Sequence, residues 1–140
     1  MHFLRYSLDT GIDYTHIAFG GNGTIQGFDA AFGRDINSIE NTQRDDLFPT
    51  ARVVDGYDFV GDIFSNGDSS TQALPDNDPI DLRGHGTLVA SAIVGVAPEV
   101  DLVAVKVCAT FGSCPDFAVI LGIEFVLDPN DDGSMDDKVD

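Results

Sequence analysis

The apolar positions of this chain fall into short runs set between long polar stretches. Residues 3–8 (FLRYSL) read as a short strand that runs into Asp9-Thr10-Gly11. A Gly-rich, polar stretch follows from Gly20 to about Thr50. It is long for a connection in a compact domain and reads as a surface insertion at about 20–50. Residues 51–60 (ARVVDGYDFV) read as a second extended piece. Residues 61–84 carry the turn signals Asn66-Gly67, Pro75-Asp76 and Asn77-Asp78-Pro79. Residues 86–94 (GTLVASAIV) are apolar on nearly all sides, which predicts a buried helix with Thr87 as N-cap and Gly95 at its end. Residues 101–107 (DLVAVKV) are rich in β-branched residues, like a strand of a parallel sheet covered on both faces. Pro115 sits in the first turn of a helix running to about Leu127. The apolar positions of that helix (Phe117, Val119, Ile120, Ile123, Phe125, Val126) cover a broad face. Lys138-Val139-Asp140 reads as the lead-in to another strand. Strand, helix, strand, helix predicts an α/β fold with a mostly parallel sheet.

The 140 residues are one domain's worth, and a composition 43% hydrophobic and 22% charged is globular. No apolar run is long enough for a membrane-spanning helix. Seven basic against 24 acidic residues give a net charge of −17, which argues against nucleic acid and against an anionic membrane surface as partners. Such acidity is compatible with cation binding or a salty exterior. Residues 1–9 hold no signal-peptide core and no small-residue cleavage site, so the sequence shows no signal peptide. Cys108 and Cys114 suit a short disulfide loop, favoured outside the cell; two free thiols are the alternative.

Two residues stand out chemically. Asp9, in LDTGID, sits at the expected C-terminal end of a strand, the edge where ligand and catalytic groups of open α/β sheets gather. An aspartate that merely closes a strand is the alternative. Asp-Thr-Gly also occurs in aspartic proteases, but those are all-β, and the helical runs at 86–94 and 115–127 argue against them. His85 is bracketed by glycines in Arg83-Gly84-His85-Gly86-Thr87, directly before the predicted helix. The two lie 85 − 9 = 76 positions apart, Asp before His.

LDTGIDYTH, GHGT, GVAP and LVAVKV, in that order, resemble the subtilisin-like serine proteases (subtilases). The stretches GYDFVGD, PDNDPID and FVLDPNDDG also resemble segments of their large secreted members. The resemblance covers nearly the whole of 1–140 and implies the N-terminal portion of a catalytic domain. Its fold would be a partial, incomplete three-layer α/β arrangement with an exposed sheet edge and apolar surface. The resemblance implies that His85 is the general base and Asp9 the carboxylate that orients it. It implies a serine endopeptidase acting on polypeptide, located outside the cell, with no cofactor required for catalysis. The family's nucleophile lies in a Gly-Thr-Ser motif, and none of the serines here sits in one. Loss of the nucleophile costs about 10⁶-fold in turnover, so 1–140 alone is expected to be inactive and to need the missing C-terminal half as partner.

Departures from the family pattern are visible. GHGTHVAG is here GHGTLVAS, with Leu88 and Ser91 at the changed positions, and the first strand carries the polar Arg5 and Ser7. The acidic tail offers a separate possibility. Asp128, Asn130 and Asp132 before Gly133 follow the start of a calcium loop, with Asp136 at the ninth position; the twelfth, where a glutamate belongs, is Val139. A Ca²⁺ ion there is one expectation and a solvated acidic turn the other. The rival reading of the whole is a non-catalytic remnant or calcium-stabilised binding module.

Overall fold

In the computed structural model of the chain, residues 3–134 are described. Three parallel strands, β1 (Phe3–Asp9), β2 (Val53–Asp58) and β3 (Val100–Lys106), form one sheet in the order β1-β3-β2. Three helices accompany them: α1 (Ile25–Phe32), α2 (His85–Val96) and α3 (Asp116–Leu127). The α/β fold with a parallel sheet expected from the sequence is therefore present.

The β-branched run of β3 makes it the central strand, and its side chains alternate between two apolar layers. Val100, Leu102 and Ala104 point into a cluster with Ile12, Tyr14, Phe48, Val53, Ile80 and Ala90, on the α2 side. Val103, Val105 and Val107 point into a second cluster with Val60 and Ala118, on the α3 side. Gly122 permits α3 to lie close to the sheet: a Cβ there would stand 2.6 Å from Val107 Cγ1 and 3.0 Å from Val105 Cγ1.

Three expectations change. The insertion at 20–50 contains α1, capped by Thr24, whose hydroxyl accepts from the Gly27 N–H at 3.0 Å. Ala31 and Phe48 from this stretch are fully buried, so the insertion supplies core as well as surface. The N-cap of α2 is Gly84, in the left-handed conformation at φ 92°, rather than Thr87, and the helix runs one residue past Gly95. Pro115 is the N-cap of α3 and precedes its first turn.

The helices are also less buried than their composition suggests. Only Gly86 and Ala90 of α2 are fully covered, while Leu88 is 68% and Val96 89% exposed. Phe117, Ile120, Leu121 and Ile123 of α3 are likewise exposed. Both helices are apolar on nearly all sides, yet much of that surface is left exposed. β1, at the edge of the sheet, contacts both helices. The strand anticipated at Lys138-Val139-Asp140 lies outside the described residues.

Candidate active site

The register aligns Asp9 of β1 with Lys106 of β3, and Lys106 in turn with Asp58 of β2. Each strand thus ends in a charged residue at the same edge. Register partners in a parallel sheet share a face, so all three lie on the α2 side.

Beyond Asp9 the chain turns sharply, with Gly11 at φ 103°, and the Ile12 N–H donates to Pro79 O at 3.0 Å. The Tyr14 hydroxyl, fully buried, donates to the Asp78 carboxylate at 2.8 and 2.9 Å. This anchors the loop after β1 to the segment before α2. Burial pushes Asp78 up to about 7, against the Tyr14 hydroxyl and the Ile80 N–H that pull it down. Burial also pushes neighbouring Asp76 up to about 7.

His85 is the first residue of α2. Its Nδ1 lies 2.7 Å from Asp9 Oδ1 and 2.9 Å from Oδ2. The Thr10 N–H donates to Asp9 Oδ1 at 2.7 Å, fixing the carboxylate from its own backbone. The His85 side chain is 62% exposed and that of Asp9 15%. Among the described residues the ring bonds only to Asp9, which leaves Nε2 without a partner and no serine hydroxyl on it. The two residues singled out in the sequence therefore meet. A carboxylate on Nδ1 favours the tautomer that carries its proton there, so Nε2 presents a lone pair able to take a proton.

Two groups escaped the sequence reading. Asp81, 4% exposed, accepts at Oδ1 from the Thr10 hydroxyl and the Arg83 and Gly84 N–H groups, each at 2.9 Å. At Oδ2 it accepts from the Thr87 N–H at 2.9 Å and the Thr87 hydroxyl at 2.6 Å. It therefore performs the capping expected of Thr87, whose own oxygen accepts from the Asp13 N–H at 2.9 Å. An aspartate just ahead of a predicted helix start was the available signal. The second group is Lys106, buried between Asp58, at 3.0 Å, and Asp62, and donating to Ile80 O at 3.0 Å. Burial alone would strip its proton, but the facing carboxylates of Asp58 and Asp62 outweigh that and hold it charged. A lysine in the apolar run LVAVKV was the signal here.

The cysteines form a disulfide, Cys108–Cys114, just beyond β3. The loop it closes meets the site: the Cys108 N–H donates to Asp9 O at 3.1 Å and Arg83 Nη1 to Thr110 O at 3.1 Å.

Asp128, Asn130 and Asp132 lie on the turn after α3 rather than at the site. Asp128 accepts from the Asp132 and Gly133 N–H groups at 3.0 and 2.8 Å, and Asn130 Oδ1 from Asp132 N–H at 3.1 Å. Asp136 lies outside the described residues. Among the described residues no group of three or more His, Cys, Asp or Glu side chains is arranged to hold a metal ion.

An Asp–His pair at the C-terminal edge of an α/β sheet, Asp preceding His, has the chain order of the subtilisin-type hydrolases. Comparison with known proteins gives the family: a model of the subtilase family (Peptidase_S8) matches residues 7–137, and the chain belongs to that family of serine proteases. It is similar to alkaline serine exoprotease A of Vibrio alginolyticus, with 31% identity over 125 residues. That alignment covers 86% of this chain and 15% of the relative, so the chain spans a small part of the relative's length. No solved structure matches.

Proposed function

We propose that Asp9 and His85 are the orienting carboxylate and the general base of a serine endopeptidase site, with the nucleophilic serine supplied by polypeptide outside these 140 residues. The observation that carries this reading is the 2.7 Å contact of His85 Nδ1 with Asp9, made beside an open Nε2. The serine hydroxyl gives its proton to Nε2 as its oxygen attacks the scissile carbonyl. The imidazolium then returns that proton to the leaving amine. Asp9 holds the ring in the Nδ1–H tautomer and faces the charge that develops on it. The substrate is polypeptide; a net charge of −17 supports neither nucleic acid nor an anionic membrane as partner. The disulfide supports a place outside the cell.

β1 is an edge strand that contacts both α2 and α3, and each helix carries exposed apolar residues, a surface that suits a further parallel strand with its own helix. The remainder of a catalytic domain is the partner this surface fits. Residues 1–140 alone turn over no peptide.

The test is a casein assay of purified 1–140, alone and joined to the segment of a subtilase that carries the Gly-Thr-Ser motif. Turnover only in the joined protein, abolished by His85→Ala, is expected. Turnover by 1–140 alone that His85→Ala abolishes overturns the division of the site. Inactivity of a folded joined protein overturns the reading itself.

A further inference from the structure

We infer that Asp81 is the positioning residue of the Asp9–His85 pair: its buried carboxylate ties the two segments together and so sets which imidazole nitrogen carries the proton. The inference rests on the proton-transfer role proposed above, but its readout needs no turnover.

Asp9 and His85 come from segments 76 positions apart. The direct hydrogen bond selects the tautomer only while ring and carboxylate stay aligned, and with the ring 62% exposed little packing keeps them so. The ring's orientation must therefore come from the backbone beneath it.

The Tyr14–Asp78 bond joins the two segments farther from the pair, and beside the pair itself most of the bonds converge on Asp81. Asp81 accepts five hydrogen bonds. Those from Gly84 N–H and from Thr87 N–H and Oγ1–H hold the residue before His85 and the second residue after it. The bond from the Thr10 hydroxyl holds the neighbour of Asp9. Thr10 closes the circuit, because its Oγ1 accepts from the Gly86 N–H at 2.9 Å while its own N–H reaches Asp9 Oδ1. Gly86 shows how tight the join is. A Cβ there would stand 2.1 Å from Gly11 O and 3.1 Å from Asp9 Cβ. All five partners of Asp81 donate, and bonds to a charged acceptor are about twice as strong as neutral ones. An asparagine offers one acceptor oxygen and turns an NH₂ group on donors, so it cannot keep the set.

A pure helix-capping role for Asp81 predicts lost stability with an unchanged His85. Nitrogen-15 spectra of the histidine-labelled 140-residue chain separate the two. The His85 signals are assigned by their absence from His85→Ala and so distinguished from His2 and His16. The unsubstituted chain at neutral imidazole is expected to show one tautomer, protonated at Nδ1. Asp81→Asn and Thr10→Val are expected to lose that signature to a mixture of Nδ1–H and Nε2–H forms. Thr10→Ser, which keeps the hydroxyl, is expected to retain it. So is Asp78→Asn, which alters a buried aspartate of the same segment bonded to Tyr14 instead.

A folded Asp81→Asn chain with a single Nδ1–H tautomer overturns the inference, as does an equal effect from Asp78→Asn. Should Asp81→Asn not fold, the Thr10→Val and Thr10→Ser pair decides, and an unchanged tautomer in folded Thr10→Val overturns it. A mixture already present in the unsubstituted chain overturns both this inference and the proposed role of Asp9. An intact tautomer in an inactive joined protein overturns only the proposed function.

Discussion

An Asp–His pair and a lysine held by two aspartates stand side by side at one edge of the sheet, with Asp9 and Lys106 on adjacent strands and on the same face. Asp9 meets His85 beside solvent, and Asp58 and Asp62 meet Lys106 in the interior. The His85 side chain is 62% exposed and that of Lys106 1%. Exposure decides what each pair can do. The buried lysine has its charge locked by two carboxylates, and no substrate reaches it. The exposed histidine gains little stability from its partner but keeps a free nitrogen for chemistry. The sheet edge alone is therefore not the mark of a site, since both pairs sit there. The proposed site is marked instead by a proton acceptor that one partner orients and solvent reaches.

This contrast can be broken in four places, taken from the largest expected effect to the smallest. In the protein joined to its serine-bearing segment, Asp9→Asn is expected to lower kcat about 10⁴-fold, because the ring is left free to take the wrong tautomer; steady-state kinetics on a peptide substrate check this. Lys106→Met is expected to cost about 3–5 kcal/mol of folding stability, since it strands two buried carboxylates. Urea titration of the 140-residue chain reads that loss.

Asp78 gives a pH test on the buried side. Its folded value of about 7 lies above its ordinary range, so between about pH 4 and 7 the folded chain holds a proton that the unfolded chain releases. Stability is thus expected to fall as pH rises through that window. Asp78→Asn should make the fall shallower when urea midpoints are compared across it, leaving the share of Asp76, which is also pushed up to about 7. The smallest effect belongs to the open pair: His85→Ala is expected to change stability by no more than about 0.5 kcal/mol, measured by the same titration. A large loss there would mean that His85 is structural and would erase the contrast.

Much of this was legible in the sequence. The β-branched run of β3 and the apolar periodicity of α3 announced their elements, and Asp9 and His85 were marked by a strand end and by flanking glycines. What stayed hidden has physical reasons. α1 lay in a Gly-rich stretch, although Thr24 followed by Ile25, Phe28, Ala31 and Phe32 carries a cap and a helical face. Asp81 and Lys106 are single polar letters whose roles depend on partners from Thr10 to Asp58. Such distant pairing is written in the topology, and no local pattern contains it. The half-exposure of α2 was also unreadable, because apolar composition reports what a helix can bury and not what is present to cover it.

The order β1-β3-β2 also places a clock on the chain. Asp9 is paired to Lys106, 106 − 9 = 97 positions later in the sequence. At ribosomal rates of about 5–20 residues per second, the first strand waits about 5–20 seconds for the strand that holds it. Before β3 emerges, any meeting of the carboxylate and the histidine rests on bonds between their own segments, those of Thr10, Asp81 and Gly86 among them, and the strand that carries Asp9 gains its neighbour only afterwards.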